Sequence, residues 1–174
     1  MQHVCELILG GARSGKSALA EQRALATGLK LVYVATATAG DQEMSRRIGH
    51  HQQRRGGQWQ LVEEPLALAD ALGRHQGPQR CIVVDCLTLW LSNCLHHDCW
   101  EQQRDSLLSL LPGLAGHIVL VSNETGLGVV PMGELSRRFV DEAGFLHQQL
   151  AALCGRVTLT VAGLPVTLKS PQES

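Results

Sequence analysis

The residues with the clearest chemical capacity lie close to the amino terminus. Gly10, Gly11, Ala12, Arg13, Ser14, Gly15, Lys16 and Ser17 read GGARSGKS, which fits G-x-x-x-x-G-K-[ST]. An apolar run, HVCELIL (3–9), precedes them, and a helical pattern from about Lys16 to Ala26 follows. That context marks a phosphate-binding loop rather than a chance glycine turn. Glycines at 10, 11 and 15 permit positive φ and close backbone approach, so that consecutive N–H groups surround phosphate oxygens. The helix behind the loop points its positive end at the same anion. On this reading Lys16 reaches the β- and γ-phosphates of a nucleoside triphosphate, and the Ser17 hydroxyl ligates Mg²⁺. The metal also needs a carboxylate at the end of a neighbouring strand. Asp85, closing RCIVVD, has that position, and it is also placed to cap a helix starting at Leu87.

A second group sits in SRRIGHHQQRR (45–55). On a helical wheel Met44, Ile48 and His51 share one narrow arc, so His51 joins the apolar stripe. His50 falls instead among Arg46, Arg47 and Arg54. Guanidinium groups around an imidazole disfavour its protonated form, and neutral imidazole is the nucleophilic one. His50 is therefore a candidate nucleophile or phosphate contact. Spacing alone favours a solvated basic face over either role.

These groups must be carried by an alternation of strands and helices. LKLVYVAT (29–36), QWQLVEE, RCIVVD (80–85) and HIVLVSNE (117–124) read as strands. Between them lie helical patterns: DQEMSRRIGHHQQRR with Asp41 as cap, PLALADALGRH with Pro65 in its first turn, LTLWLSNCL and WEQQRDSLLSLL with a break near His97. A loop, GLGVVPMG, leads to a long helix, ELSRRFVDEAGFLHQQLAALC. RVTLTVAGLPVTLK then forms two strands about a Gly-Leu-Pro turn. Such alternation predicts an α/β fold, a mainly parallel twisted sheet flanked by helices with an antiparallel edge strand. The whole is one nucleotide-binding domain over 1–169, with 170–174 as a disordered tail.

Composition narrows the class of partner. Aromatic residues make up 3% of the 174, so the core must be aliphatic. A net charge of -1 argues against a dedicated nucleic-acid or membrane-surface binder. No apolar run approaches the roughly 18 residues that a membrane span needs, and the first residues do not read as a signal peptide. A cytoplasmic protein is expected. In that reducing compartment the six cysteines read as small buried hydrophobes. Cys94, His96, His97, Asp98 and Cys99 are metal-capable, but their spacing matches no common zinc pattern. A helix end with surface histidines accounts for them more simply.

The guanine-specificity motif N-K-x-D is absent, which disfavours a regulatory GTPase. LILGGARSGKSALAE, YVATATAGDQEMSRRIGHHQQRR, WQLVEEP, VVDCLTLWLSN, LVSNETGLGVVP and RRFVDEAGFLHQQLA follow in order along the chain. Together they resemble the bifunctional adenosylcobinamide kinase/adenosylcobinamide-phosphate guanylyltransferase family of cobalamin biosynthesis, from residue 6 to VAGLPVTLK.

The resemblance implies a fold of the P-loop NTPase type and two reactions. The first phosphorylates the aminopropanol hydroxyl of adenosylcobinamide with ATP or GTP. The second transfers GMP from GTP to that phosphate through a GMP–histidine intermediate, giving adenosylcobinamide-GDP and pyrophosphate. It makes His50 the guanylylated residue. It also places Ala35, Thr36 and Ala37, His51, Gln52, Gln53 and Arg54, and the carboxylates Glu63 and Asp85 at the nucleotide. Those carboxylates would accept from guanine N1–H and N2–H or ligate Mg²⁺. A homotrimer is implied as well. His147 departs from the family's asparagine, at what reads as an ordinary exposed helical position. The competing readings are a simple P-loop kinase of another small hydroxylated metabolite, without a covalent intermediate, and a nucleotide-gated binding protein.

Overall fold

The structure, a computed structural model, describes residues 4–37 and 57–171. Short β-branched runs become the strands β1 (Val4–Gly10), β2 (Lys30–Ala35), β3 (Trp59–Glu63), β4 (Arg80–Asp85) and β5 (His117–Asn123). The sixth and seventh are β6 (Arg156–Val161) and β7 (Leu164–Lys169). They build one seven-stranded sheet in the order β3-β2-β4-β5-β1-β6-β7. Every neighbouring pair is parallel except β6 with β7, so the expected antiparallel edge is present.

Parallel strands covered by helices on both faces must be apolar on both faces. One face packs Ile8, Tyr33, Val83, Val119 and Val121 against Ala20 and Ala24 of α1 (Lys16–Ala26). The other packs Leu7, Val34, Ile82, Val84 and Leu120 against four helices. These are α2 (Leu68–His75), α3 (Leu87–His96), α4 (Trp100–Leu110) and α5 (Glu134–Leu153). The core is mainly aliphatic, as the composition implies, and its largest aromatic side chains form a pair. Trp90 and Trp100 are fully buried with rings 5.2 Å apart, edge to face. Each indole N–H has an acceptor, Leu66 O and Glu142 Oε2, both at 2.7 Å. Among the described residues no helix is long and apolar enough to cross a membrane.

Two local expectations need correction. Pro65 does not open a helix. Glu64 Oε1 accepts the Leu66 and Ala67 amides at 3.0 and 2.8 Å, so 65–67 form a capped turn and α2 starts at Leu68. The last hairpin does not turn at Gly-Leu-Pro. Its central residues are Ala162 and Gly163, with φ of 51° and 77°, the positive pair that a two-residue hairpin requires. Leu164 and Pro165 already belong to β7, where an edge position tolerates proline. The helix expected over 41–55 lies outside the described residues.

One charge sits inside the sheet. Glu6 is 1% exposed and accepts from Arg23 Nη1 at 2.8 Å and Arg156 Nη1 at 3.3 Å. Arg23 is on Oε2, whereas Arg156 shares Oε1 with His117, whose Nε2 lies 2.9 Å from it. Burial works to raise the carboxyl's pKa, but the hydrogen bond and charge of His117, with Arg156 and Arg23, hold it below the ordinary 4.5. A depressed carboxyl stabilises the fold above its unfolded value and loses that contribution as pH falls. Glu6→Gln should therefore destabilise the domain by about 3 kcal/mol at pH 7. It should also remove part of the stability loss that the parent shows below pH 4.5. Urea unfolding across pH 3–7 measures both, and identical acid profiles would contradict this account.

Candidate active site

The loop between β1 and α1 is shaped by close packing more than by glycine freedom. Only Gly15 among its glycines has positive φ, 91°, and a Cβ there would come within 3.2 Å of Gly163 Cα. Arg13 takes positive φ, 54°, without being glycine. Gly10 is required for a different reason: a Cβ would strike the Ser14 side chain and the Thr160 carbonyl. At Gly11 a Cβ would meet nothing within 4 Å, which leaves that side of the loop open to a ligand. Of the two properties expected of these glycines, positive φ is used at Gly15 and close backbone approach at Gly10 and Gly15.

Lys16 and Ser17 open α1 at the mouth of this loop. Lys16 is buried, and its Nζ donates to Gly11 O at 2.9 Å, so the ammonium lies across the turn. Ser17 Oγ donates to Asp85 Oδ2 at 2.7 Å, and the Tyr33 hydroxyl donates to the same oxygen at 2.7 Å. The sequence left Asp85 between metal ligand and helix cap. No side chain caps α3, and the carboxylate turns to the phosphate loop instead. A serine hydroxyl beside a carboxylate is a pair of hard oxygen donors, the kind that suits Mg²⁺.

Sheet register sets the other predicted residues in a row. Glu63, Ala35 and Asp85 are cross-strand partners at the carboxyl ends of β3, β2 and β4. Two strand spacings put the Glu63 and Asp85 backbones about 10 Å apart. Ala35, Thr36 and Ala37 are buried. The Thr36 hydroxyl is fully engaged, donating to Cys86 O at 2.8 Å and accepting from Cys86 N at 3.0 Å. Asn93 Nδ2 donates to Thr36 O at 2.9 Å. His50, His51, Gln52, Gln53 and Arg54 lie outside the described residues.

Sequence reasoning missed a further group beside the loop. Glu124 follows β5 and its N–H donates to Gly10 O at 2.9 Å. Its carboxylate accepts from Gly126 N at 2.6 Å and faces His147 Nδ1 at 3.8 Å. His147 is not an exposed helical position. It is 8% exposed, and its Nε2 shares a 2.7 Å hydrogen bond with the buried Ser122 hydroxyl. The signal was legible, because Ala143, Leu146, His147 and Leu150 form one i, i+3, i+4, i+7 stripe. Among the described residues the metal-capable side chains here do not converge as a group of three that could hold an ion. Cys94 is buried, His96 Nδ1 lies 3.0 Å from Ser92 O, and Asp98 has a φ of 51°.

A family profile described as cobinamide kinase / cobinamide phosphate guanyltransferase matches residues 6–168. The chain belongs to this family. It is accordingly a bifunctional transferase of cobalamin biosynthesis. The bifunctional adenosylcobalamin biosynthesis protein CobP of Pseudomonas aeruginosa is 60% identical over 167 residues, covering 94% of this chain and 96% of that one. The Escherichia coli protein CobU, given the same description, is 35% identical over 179 residues, covering 94% and 98%. Among solved structures, the flagellar accessory protein FlaH of Methanocaldococcus jannaschii superposes with a TM-score of 0.56 at 12% identity. That match covers 97% of this chain and 79% of FlaH, a likeness of fold alone. The strand order, with GGARSGKS between β1 and α1, is that of a P-loop NTPase fold.

His147 yields a pH prediction. Burial pushes its imidazole below the ordinary 6.5, with the Glu124 carboxylate opposing. Protonation is then easier in the unfolded chain, so this contribution is complete above pH 6.5 and declines as pH falls. His147→Ala strands a buried hydroxyl and should cost about 1–3 kcal/mol at pH 7.5. It should also flatten the stability profile just below pH 6.5. Chemical denaturation at several pH values reads both, and an unaltered profile would count against the assignment.

Proposed function

We propose that the chain phosphorylates the aminopropanol hydroxyl of adenosylcobinamide at the GGARSGKS loop, then transfers GMP from GTP to the new phosphate through His50. The observation that carries the first half is the 2.7 Å bond from Ser17 Oγ to Asp85 Oδ2 at the loop's mouth. That pair, together with the Lys16 ammonium on Gly11 O, supports binding of a β,γ-phosphate pair at this loop. Ser17 and Asp85 would hold Mg²⁺, which when bound neutralises charge on those phosphate oxygens.

The substrate hydroxyl oxygen attacks the γ-phosphorus of ATP or GTP, its proton passes to solvent, and the bond to the β,γ-bridging oxygen breaks to release the nucleoside diphosphate. Lys16 and the loop amides stabilise the charge that develops. In the second reaction a neutral His50 nitrogen attacks the α-phosphorus of GTP and pyrophosphate leaves. A corrinoid phosphate oxygen then attacks the same phosphorus, the P–N bond breaks, and His50 is regenerated. Support for His50 comes from the helical spacing that would group it with Arg46, Arg47 and Arg54 and from the family match. His51, Gln52, Gln53 and Arg54 contact GTP beside it. Ala35 and Ala37 offer only backbone and methyl groups, as Thr36 does once its hydroxyl is engaged, while Glu63 offers a carboxylate to guanine. A cytoplasmic homotrimer is the expected working form, measurable by sedimentation.

Incubation with α-labelled GTP should give an acid-labile, base-stable protein label. His50→Ala should abolish the label while keeping phosphorylation of adenosylcobinamide. Lys16→Ala should cut that phosphorylation on the order of 10²–10³-fold in kcat. Full labelling of the His50→Ala protein would refute the intermediate. Labelling absent from the parent, with kinase activity intact, would favour the simple kinase.

A further inference from the structure

Apolar side chains flank the phosphate loop on both sides. In the sheet β1 lies between β5 and β6, and all three run parallel. Whatever follows β5 and β6 therefore emerges beside the loop that follows β1. Two backbone bonds mark the junctions: Glu124 N donates to Gly10 O, and Gly163 N to Ser14 O, each at 2.9 Å. Beyond Glu124 the chain exposes Leu127, Val129 and Met132, at 83%, 96% and 93%. At the tip of the β6–β7 hairpin Leu164 is 68% exposed.

These segments are anchored. Glu124 Oε1 takes the Gly126 amide at 2.6 Å, and Arg137 Nη1 closes the far end of the β5–α5 loop on Met132 O at 2.7 Å. Grouped large apolar side chains held in water mark a binding surface, because covering them is favourable. The triphosphate of a nucleotide, charged along its length, does not need them. The phosphoryl acceptor does: its hydroxyl must approach the γ-phosphate while the rest of the molecule stays outside the loop. Cobinamide meets that description, since it hangs a hydroxyl-bearing arm from a broad macrocycle studded with methyl groups.

We propose that the β5–α5 loop and the β6–β7 tip form the docking surface for the corrin macrocycle, with Leu127, Val129 and Met132 on one side and Leu164 on the other. This rests on the function proposed above, and it gives that site its acceptor-binding half. Removing contacts made equally in the ground and transition states raises KM without changing kcat.

The test measures cobinamide phosphorylation by the full chain, its Val129→Ser/Met132→Ser variant and, separately, Leu164→Ser. Each should raise KM for cobinamide, the double variant about tenfold, from the apolar contact removed. The nucleotide KM, kcat and sedimentation should not change. An active parent whose variants keep its cobinamide KM would overturn the docking surface alone. So would variants that fall to a smaller species with that KM intact, since a second copy of the chain would then be what covers these side chains. A parent that binds nucleotide yet never phosphorylates cobinamide would overturn the proposed function, and this surface with it.

Discussion

Asp85 accepts two hydroxyl hydrogens on one carboxylate oxygen, from Ser17 on α1 and Tyr33 on β2. Three separate pieces of chain are thereby tied at one point: the helix behind the phosphate loop, the strand bearing the 35–37 segment, and the end of β4. An aspartate at a strand terminus has little reach. The arrangement therefore depends on β2 and β4 staying in register, with Ala35 opposite Asp85. A shift of one residue would turn the carboxylate to the opposite face and away from Ser17.

The same dependence appears at the loop's flanks. Gly10 has Ser14 and Thr160 packed where a side chain would be, and Gly15 has Gly163. The phosphate loop is a packed element between β5 and β6, so the terminal hairpin helps to shape it. Residues following β5 and β6 stand next to it for the same reason, which is what gives the exposed leucines, valine and methionine a meaning beyond surface composition.

Polar groups buried in the sheet occur at two levels. Glu6, with its arginines and His117, holds the end remote from the loop, at the start of β1 and β5. Ser122, His147 and Glu124 hold the loop end. Each ties neighbouring elements through a group whose desolvation must be matched by partners. This explains how charged and hydroxyl side chains persist in strands that are otherwise apolar on both faces.

Much of this was legible in the residues themselves. Apolar runs of strand length alternating with helical stripes specify an α/β sheet, and GGARSGKS between a strand and a helix specifies a phosphate loop, because both signals are local. The carboxylate at the end of RCIVVD was legible as a candidate, but its choice between capping α3 and facing Ser17 was not. That choice depends on β4 lying next to β2 and near α1, a long-range fact. His147 shows a signal present and unused: its helical stripe is local, while its partners Ser122 and Glu124 are brought to it only by packing α5 on the sheet. The sequence by itself determined the elements and the kinds of chemistry they could carry. The tertiary structure alone decided which side chains meet, because strand order and register, not spacing along the chain, set the distances across a parallel sheet.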